Sequence, residues 1–216
     1  LLLEIEEIDR VAEDIVPIIS TRVIEIPVFY KDPWTHETGM RFRERHQDPS
    51  ATDLEYAASL NGYPTITEFI TAHHSSPWFV SMVGFVAGCP WLYQMVERHA
   101  QIEVPKYLRP RTDTPRHTVG HGGCFACIYA VQGAGGYQMF GVTPIPIFDP
   151  LAVHSHIDCS MVFFRPGDIV KFKAIESDEY ARIVAAVSDD KFIMKTSPVE
   201  FHLREFEKNP PDYNHL

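Results

Sequence analysis

The sequence predicts a mainly β fold, an antiparallel barrel or sandwich preceded by short helices. Two observations carry that expectation. Beyond Pro105, short β-branched and aromatic segments recur with Gly or Pro between them, the texture of many short strands. Before Pro77, two runs have helix caps and helix stops at the right spacing. At 216 residues the chain is long enough for one good core, or for one domain with a small appendage.

In chain order, Leu2, Ile5, Ile8, Ala12, Ile15 and Val16 fall at helical intervals, so residues 1–20 read as an amphipathic helix, the remnant of a leading domain. Residues 21–216 then read as the barrel domain. Thr21–Tyr30 is β-branched and partly alternating, a strand entering a sheet. Residues 31–50 are polar and aperiodic with Pro33, Gly39 and Pro49, and read as a long loop carrying Arg41, Arg43, Glu44, Arg45 and His46. Asp53–Leu60 is a helix capped at Thr52 or Asp53 and stopped by Asn61-Gly62. Thr65–His74 is a second helix, with Thr65 and Glu68 at capping-box spacing. Val80–Phe85 reads as a buried strand followed by a turn at Gly88-Cys89-Pro90. Pro105, Pro110 and Pro115 keep the next stretch extended. Strands are expected at Phe125–Val131, Tyr137–Phe140, Ile145–Phe148, Met161–Phe164 and Ile169–Ala174, with a last pair at Tyr180–Val187 and Lys191–Lys195.

Composition excludes several function classes. A formal net charge of −10 argues against nucleic acid and gives no reason to expect an anionic membrane surface as partner. No apolar run reaches the length of a membrane span. Leu1-Leu2-Leu3 runs at once into Glu4, Glu6 and Glu7, which does not read as a secretory signal, and without a leading Met the chain is expected to begin partway into a longer protein. Cys89, Cys124, Cys127 and Cys159 make no disulfide framework, so the cytoplasm is the expected compartment.

The chemistry-bearing residues leave alternatives open. Gly120, Gly122 and Gly123, with Gly133, Gly135 and Gly136, either offer backbone N–H donors to a carboxylate, carbonyl or phosphate oxygen or make tight corners. Tyr137 and Gln138 can orient an amide or ureido group, and on a strand they face opposite ways, with Gln138 the one favoured here to enter a pocket. Lys106, Arg109, Arg111 and Arg116 could grip an anionic substrate, meet a partner subunit or face water. His121, Cys124 and Cys127, with His154, His156 and Cys159, raise a metal reading, but the Cys pair flanks a strand at odd separation and no second clean pair exists, so no metal is expected. No Gly-x-Ser-x-Gly elbow and no Walker-type loop is present.

An ordered string of motifs resembles a known family. Gly84-Phe85 with Gly88-Cys89-Pro90-Trp91, His74 with Pro77, Pro105-Lys106, Pro110-Arg111, Val119-Gly120, Gly122-Gly123, Ile128-Tyr129, Gly135-Gly136-Tyr137-Gln138, Thr143-Pro144, Phe148-Asp149-Pro150 and Arg165-Pro166-Gly167-Asp168 match in register. From about Thr21 to Phe172 the chain resembles the allophanate hydrolase subunit 1 family, which includes KipI and the 5-oxoprolinase B component, and the first half of the urea carboxylase carboxyltransferase domain. The resemblance implies a cyclophilin-like barrel, usually led by a small α+β domain that here is reduced or missing. It implies a homologous second subunit of the allophanate hydrolase subunit 2 type, and a lactam-utilisation subunit, as partners. It also implies ATP, or a carboxyl group carried on biotin, through the complex rather than a cofactor covalently bound here.

On that footing the chain is expected to be an enzyme subunit, inactive alone, acting on a small amide, lactam or urea-like C–N bond by ATP-coupled hydrolysis or carboxyl transfer. The alternative is a non-catalytic module of the kinase-inhibitor type. The expected catalytic residues are His74, Gln138 and Tyr129, although His74 reads more readily as a hydrogen-bonded packing histidine than as a base. The expected substrate-binding residues are Lys106, Arg111, Gly122, Gly123, Gly135, Gly136, Tyr137 and Thr143. One departure stands out: the family's Gly-Arg-Thr-Pro is Gly141-Val142-Thr143-Pro144 here, and the arginines of residues 31–50 could supply a replacement cation.

Overall fold

The computed structural model describes residues 18–157 and 160–216. Among the described residues, ten strands and five α-helices are ordered as β1 (Ile18–Tyr30), α1 (Pro33–Arg41), α2 (Asp53–Leu60), α3 (Ile66–Ser75), β2 (Pro77–Val83), β3 (Pro90–Gln94), β4 (Arg111–Thr114), β5 (Thr118–Gly122), β6 (Phe125–Ile128), β7 (Gly133–Gly135), β8 (Gln138–Val142), β9 (Ile169–Ala174), α4 (Ser177–Ser188), β10 (Thr196–His202) and α5 (Leu203–Lys208). Eight strands form one sheet in the order β10-β1-β8-β5-β6-β3-β2-β9, while β4 and β7 pair separately as a ribbon.

The long strand β1 organises the sheet. Its first half pairs antiparallel with β10, its end with β8, and residues Val23 to Val28 pair in parallel with Ile169 to Ala174 of β9. The sheet is therefore mixed, which corrects the purely antiparallel expectation. Ile24, Ile26 and Val28, fully buried on alternate positions of β1, join Trp78, Val80, Leu92, Val119, Ile128, Phe140 and Phe172 in the main core.

That core also holds two histidines. His73 is fully buried, with Nδ1 2.9 Å from the Tyr30 hydroxyl and its ring stacked on Phe172. His121 is equally buried, stacked on Phe140, and its Nε2 lies 2.9 Å from the Ile102 carbonyl, so Nε2 carries the proton.

Several elements differ from the sequence reading. Residues 31–50 are not one long loop: α1 starts there because the Asp32 carboxylate accepts from the backbone N–H groups of Trp34 and Thr35, and Pro33 occupies the first turn, where a missing N–H costs nothing. The expected strand Tyr180–Val187 is helix α4; Asp178 and Glu179 favour its N-terminus and outweigh the β-branched Ile183, Val184 and Val187. Lys191–Lys195 is not a strand, and pairing with β1 begins at Thr196, with β10. Ile145–Phe148 and Met161–Phe164 meet only through the bridge Phe148–Val162, Pro144, Pro146 and Pro150 having removed ladder donors. Pro90 opens a strand rather than a turn. The helix expected over residues 1–20 lies outside the described residues, except for 18–20, which begin β1.

The helices α2 and α3 match their sequence signals. Thr52 and Glu55 form a complete capping box, and the Thr65 hydroxyl accepts from the Glu68 N–H. Both pack on the sheet beside β8 and β9, which places Asp53, the first residue of α2, over the β8 backbone.

Candidate functional site

The β4–β7 ribbon brings Arg111 opposite Gly135 and Thr114 opposite Gly133. Only glycine fits at position 135, because a Cβ there would stand 2.6 Å from both the Thr114 hydroxyl and the Tyr129 hydroxyl. Gly122 is forced likewise, since a Cβ there would overlap the Tyr137 ring. These contacts fix Tyr129 and Tyr137 at one pocket, with Arg111 behind its wall, paired with Gly135.

The pocket, about 350 Å³, is lined by Phe85, Cys89, Trp91, Lys106, Cys127, Tyr129, Gly135, Gly136 and Tyr137 among others. Its wall is mostly aromatic. The Trp91 and Tyr137 rings meet edge to face, and the exposed Lys106 ammonium lies 5.2 Å from the Tyr137 ring centroid at the rim. The Tyr129 hydroxyl accepts from the Tyr137 N–H at 3.3 Å, and the buried Tyr137 hydroxyl has no partner among the described residues. Burial pushes both phenols above their ordinary range, so they act as neutral donors.

Beside this wall lies Arg111, fully buried. Its Nε donates to the Thr114 hydroxyl at 3.3 Å and its guanidinium carbon sits 4.4 Å from the Tyr107 ring centroid, but neither Nη has a partner among the described residues. Burial raises the Cys127 thiol and the Tyr129 phenol, and the Arg111 charge acts on both in the opposite sense, which places it within electrostatic reach of the pocket wall.

A second buried arginine is paired through one nitrogen, its Nε and Nη2 having no partner among the described residues. Arg43 donates through Nη1 to Asp53 Oδ1 at 2.9 Å, the Tyr107 hydroxyl donates to the same oxygen at 2.7 Å, and Asp53 Oδ2 accepts from the Met139 N–H at 2.8 Å. His46 Nε2 is 2.8 Å from Gln138 Oε1 and 4.0 Å from Asp53 Oδ1; burial first, then Arg43, holds its pKa down. The network thus contains two buried guanidiniums and one buried carboxylate. It carries surplus positive charge, at a place where an unpaired ion costs several kcal/mol, about 3–5 when a partner is removed. A smaller cleft of about 210 Å³ opens on the other side of Arg43 and Asp53, between α1, α2 and β8.

The sequence-expected residues distribute as follows. Lys106, Tyr129, Gly135, Gly136 and Tyr137 come together in the aromatic pocket, with Arg111 against its wall. Tyr137 and Gln138 do face opposite ways, but Tyr137 lines the pocket, while Gln138 is fully buried and donates to the Pro105 carbonyl at 2.8 Å. Gly122 pairs with Phe125, and the Gly123 N–H donates to the Val104 carbonyl at 2.7 Å, so both belong to the β5–β6 turn. His74 is half-buried at the end of α3 against Tyr30, away from the pocket. Thr143 is buried beyond β8, its N–H donating to the His117 carbonyl. Arg41 and Arg45 pin the extended arm, to Asp113 and to the Pro110 carbonyl, and Val142 lines a different cleft. Sequence reasoning missed Asp53 and Tyr107; the only signal was an acid at a helix start, which reads as a cap. Among the described residues no group of three or more His, Cys, Asp or Glu side chains is arranged to hold a metal, and Cys159 lies outside them. No described helix is long and apolar enough to cross a membrane.

Comparison with known proteins gives consistent matches. The family described as carboxyltransferase domain, subdomain C and D, matches residues 6–157. The B component of 5-oxoprolinase from Bacillus subtilis is 31% identical over 175 residues, covering 81% of this chain and 61% of the relative. The urea amidolyase of Lachancea kluyveri is 28% identical over 194 residues, covering 88% of this chain but 10% of that protein. The chain therefore spans about three fifths of the first relative and a tenth of the second. Among solved structures, the urea amidolyase of K. lactis superposes with a TM-score of 0.80 at 24% identity over 91% of this chain and 12% of that one, a likeness of fold. The protein PH0987 of Pyrococcus horikoshii superposes at 0.55 with 27% identity, over 81% of this chain and 65% of that one.

Proposed function

The chain belongs to the carboxyltransferase domain, subdomain C and D, family, and from that premise we propose that it is one component of a multi-part enzyme acting on a small amide, lactam or urea-like C–N bond. The names of its relatives support a place in amide or urea metabolism. The reaction is ATP-coupled hydrolysis of a 5-oxoproline-like lactam, or carboxyl transfer in urea breakdown, with a homologous second subunit and a lactam-utilisation subunit completing the assembly in the cytoplasm. The curled sheet, with β1 bonded to β8, β9 and β10, is proposed to be a variant of the cyclophilin-like barrel.

The observation that carries this reading is Arg111. A buried guanidinium fork with two unpartnered nitrogens is built to receive a planar anion such as a carboxylate. Arg111 holds that group, the Tyr137 hydroxyl donates to a neighbouring carbonyl, the aromatic wall excludes water, and Lys106 closes the rim. Tyr129 orients Tyr137 through the backbone N–H it accepts from. The pocket has one rim ammonium and a mostly apolar lining, which suits a small monoanion and not a nucleoside triphosphate. ATP, or carboxylated biotin, is therefore assigned to other parts of the assembly and no step here is routed through it.

The test is turnover by the chain assembled with its homologous second subunit, on 5-oxoproline with ATP and on urea with ATP and bicarbonate. Arg111→Gln is expected to lower kcat/KM by about a hundredfold on the substrate that is used. Unchanged turnover in that variant, or no turnover together with tight binding to a protein kinase, contradicts the reading and favours a regulatory module.

A further inference from the structure

We propose that the cleft between the start of α1, the β4–β5 turn and α4 is a second ligand site, separate from the Arg111 pocket, and that it takes a small ring-bearing carboxylate. The cleft measures about 380 Å³ and shares no lining residue with the aromatic pocket. One wall, α4, lies outside the residues that match the family, so the site is completed by a part of the chain the match does not reach.

The lining has a consistent chemistry. In a chain with a net charge of −10, no Asp or Glu lines this cleft, and Arg116 enters it without a hydrogen bond or ion pair to any described residue. Arg116 and His117 stand side by side in the β4–β5 turn at one end, and Arg116 acts electrostatically on the His117 ring and, against the Asp32 carboxylate, on the Tyr180 phenol. His117 is held neutral, its pKa lowered to about 4 chiefly by burial, and offers one ring N–H without adding charge. His117 also has φ +66, a conformation that side-chain-bearing residues rarely adopt, and its backbone is tied on both sides, to Tyr129 and to Thr143. The turn is thus over-determined in a form that presents the Arg116-His117 pair.

The other end is built for a flat apolar body. The Trp34 and Tyr180 rings lie 5.3 Å apart with a 37° tilt, and Trp34 remains 46% exposed. Pro115, Pro144, Pro146 and Val142 supply stiff apolar lining, and Val184 extends the Tyr180 face of α4. A single full positive charge matches a single negative one, and a planar guanidinium fork matches a carboxylate better than it matches a dianionic phosphate unsupported by a second cation.

The test is titration of the full chain with benzoate, benzyl alcohol and phenyl phosphate, read at the Trp34 indole N–H by NMR. Benzoate is expected to shift that resonance with a Kd below about 1 mM, with benzyl alcohol and phenyl phosphate each at least about tenfold weaker. Arg116→Gln, a change at an exposed side chain, is expected to weaken benzoate by about tenfold while leaving the melting temperature unaltered. No shift up to about 10 mM, equal affinity for the acid and the alcohol, or unchanged affinity in Arg116→Gln overturns the site. Tighter binding of phenyl phosphate than of benzoate overturns the carboxylate assignment.

Discussion

The guanidinium carbon of Arg111 lies 4.4 Å from the centroid of the Tyr107 ring. Tyr107 therefore meets two charges, offering its face to the cation and its hydroxyl to the Asp53 carboxylate. Tyr107→Phe keeps the face and removes the hydroxyl, and is expected to cost about 1.5–3 kcal/mol, the worth of a hydrogen bond to a charged group. Tyr107→Leu should cost more, because it also removes the cation–π contact. Urea denaturation of the two variants checks the order; equal costs would contradict it.

Asp53 is the one carboxylate in a network with two buried guanidiniums. Asp53→Asn leaves both cations uncompensated and is expected to destabilise the fold by about 3–5 kcal/mol. The double variant Arg43→Met with Asp53→Asn should recover part of that loss, since it removes the charge left behind. Additive losses in a double-mutant cycle would show that the two residues do not act as a pair.

Gly135 stands where a methyl group has no room. Gly135→Ala would drive a carbon to 2.6 Å from the hydroxyls of Thr114 and Tyr129, and an overpacking cost of about 1–3 kcal/mol is expected. Combining it with Tyr129→Phe should relieve part of the strain, and equilibrium unfolding of both variants measures it. A neutral Gly135→Ala would mean that the ribbon yields freely and does not position Arg111.

The core histidines predict an acid limb of stability. Burial lowers the pKa of His73 well below the ordinary value and that of His121 to about 4. A group that binds its proton less readily when folded loses stability as pH falls. The His121 contribution is whole above about pH 6.5 and declines as pH drops toward about 4, by roughly 3 kcal/mol in all, with His73 adding to the same limb. Denaturation midpoints between pH 7.5 and about 4.5 should fall accordingly, and His121→Gln should flatten the slope. A slope unchanged by that variant would assign the acid limb to carboxylates instead.

Local signals and their limits explain what could be read beforehand. β9 was legible in full because Ile169–Ala174 is a β-branched run bounded by Gly167-Asp168, and α2 because Thr52 and Glu55 announce its cap. α1 was missed because Pro33 and Gly39 look like breakers, although Asp32-Pro33 is also a start signal. α4 was misread because Ile183, Val184 and Val187 mimic a strand when their helical spacing is ignored. At the site, Tyr129, Gly135 and Tyr137 stand close in sequence, and each was a candidate on its residue type. Asp53 lies 54 residues from Tyr107 and 86 from Met139, so no local pattern could join them.

The most direct test of the surplus-charge account is the melting temperature of Arg111→Met with and without 5-oxoproline. The wild type should gain about 2–4 °C from the ligand at saturating concentration, while the variant should melt no lower than the free wild type and gain nothing. A variant that melts several degrees lower and still responds to the ligand would contradict the account.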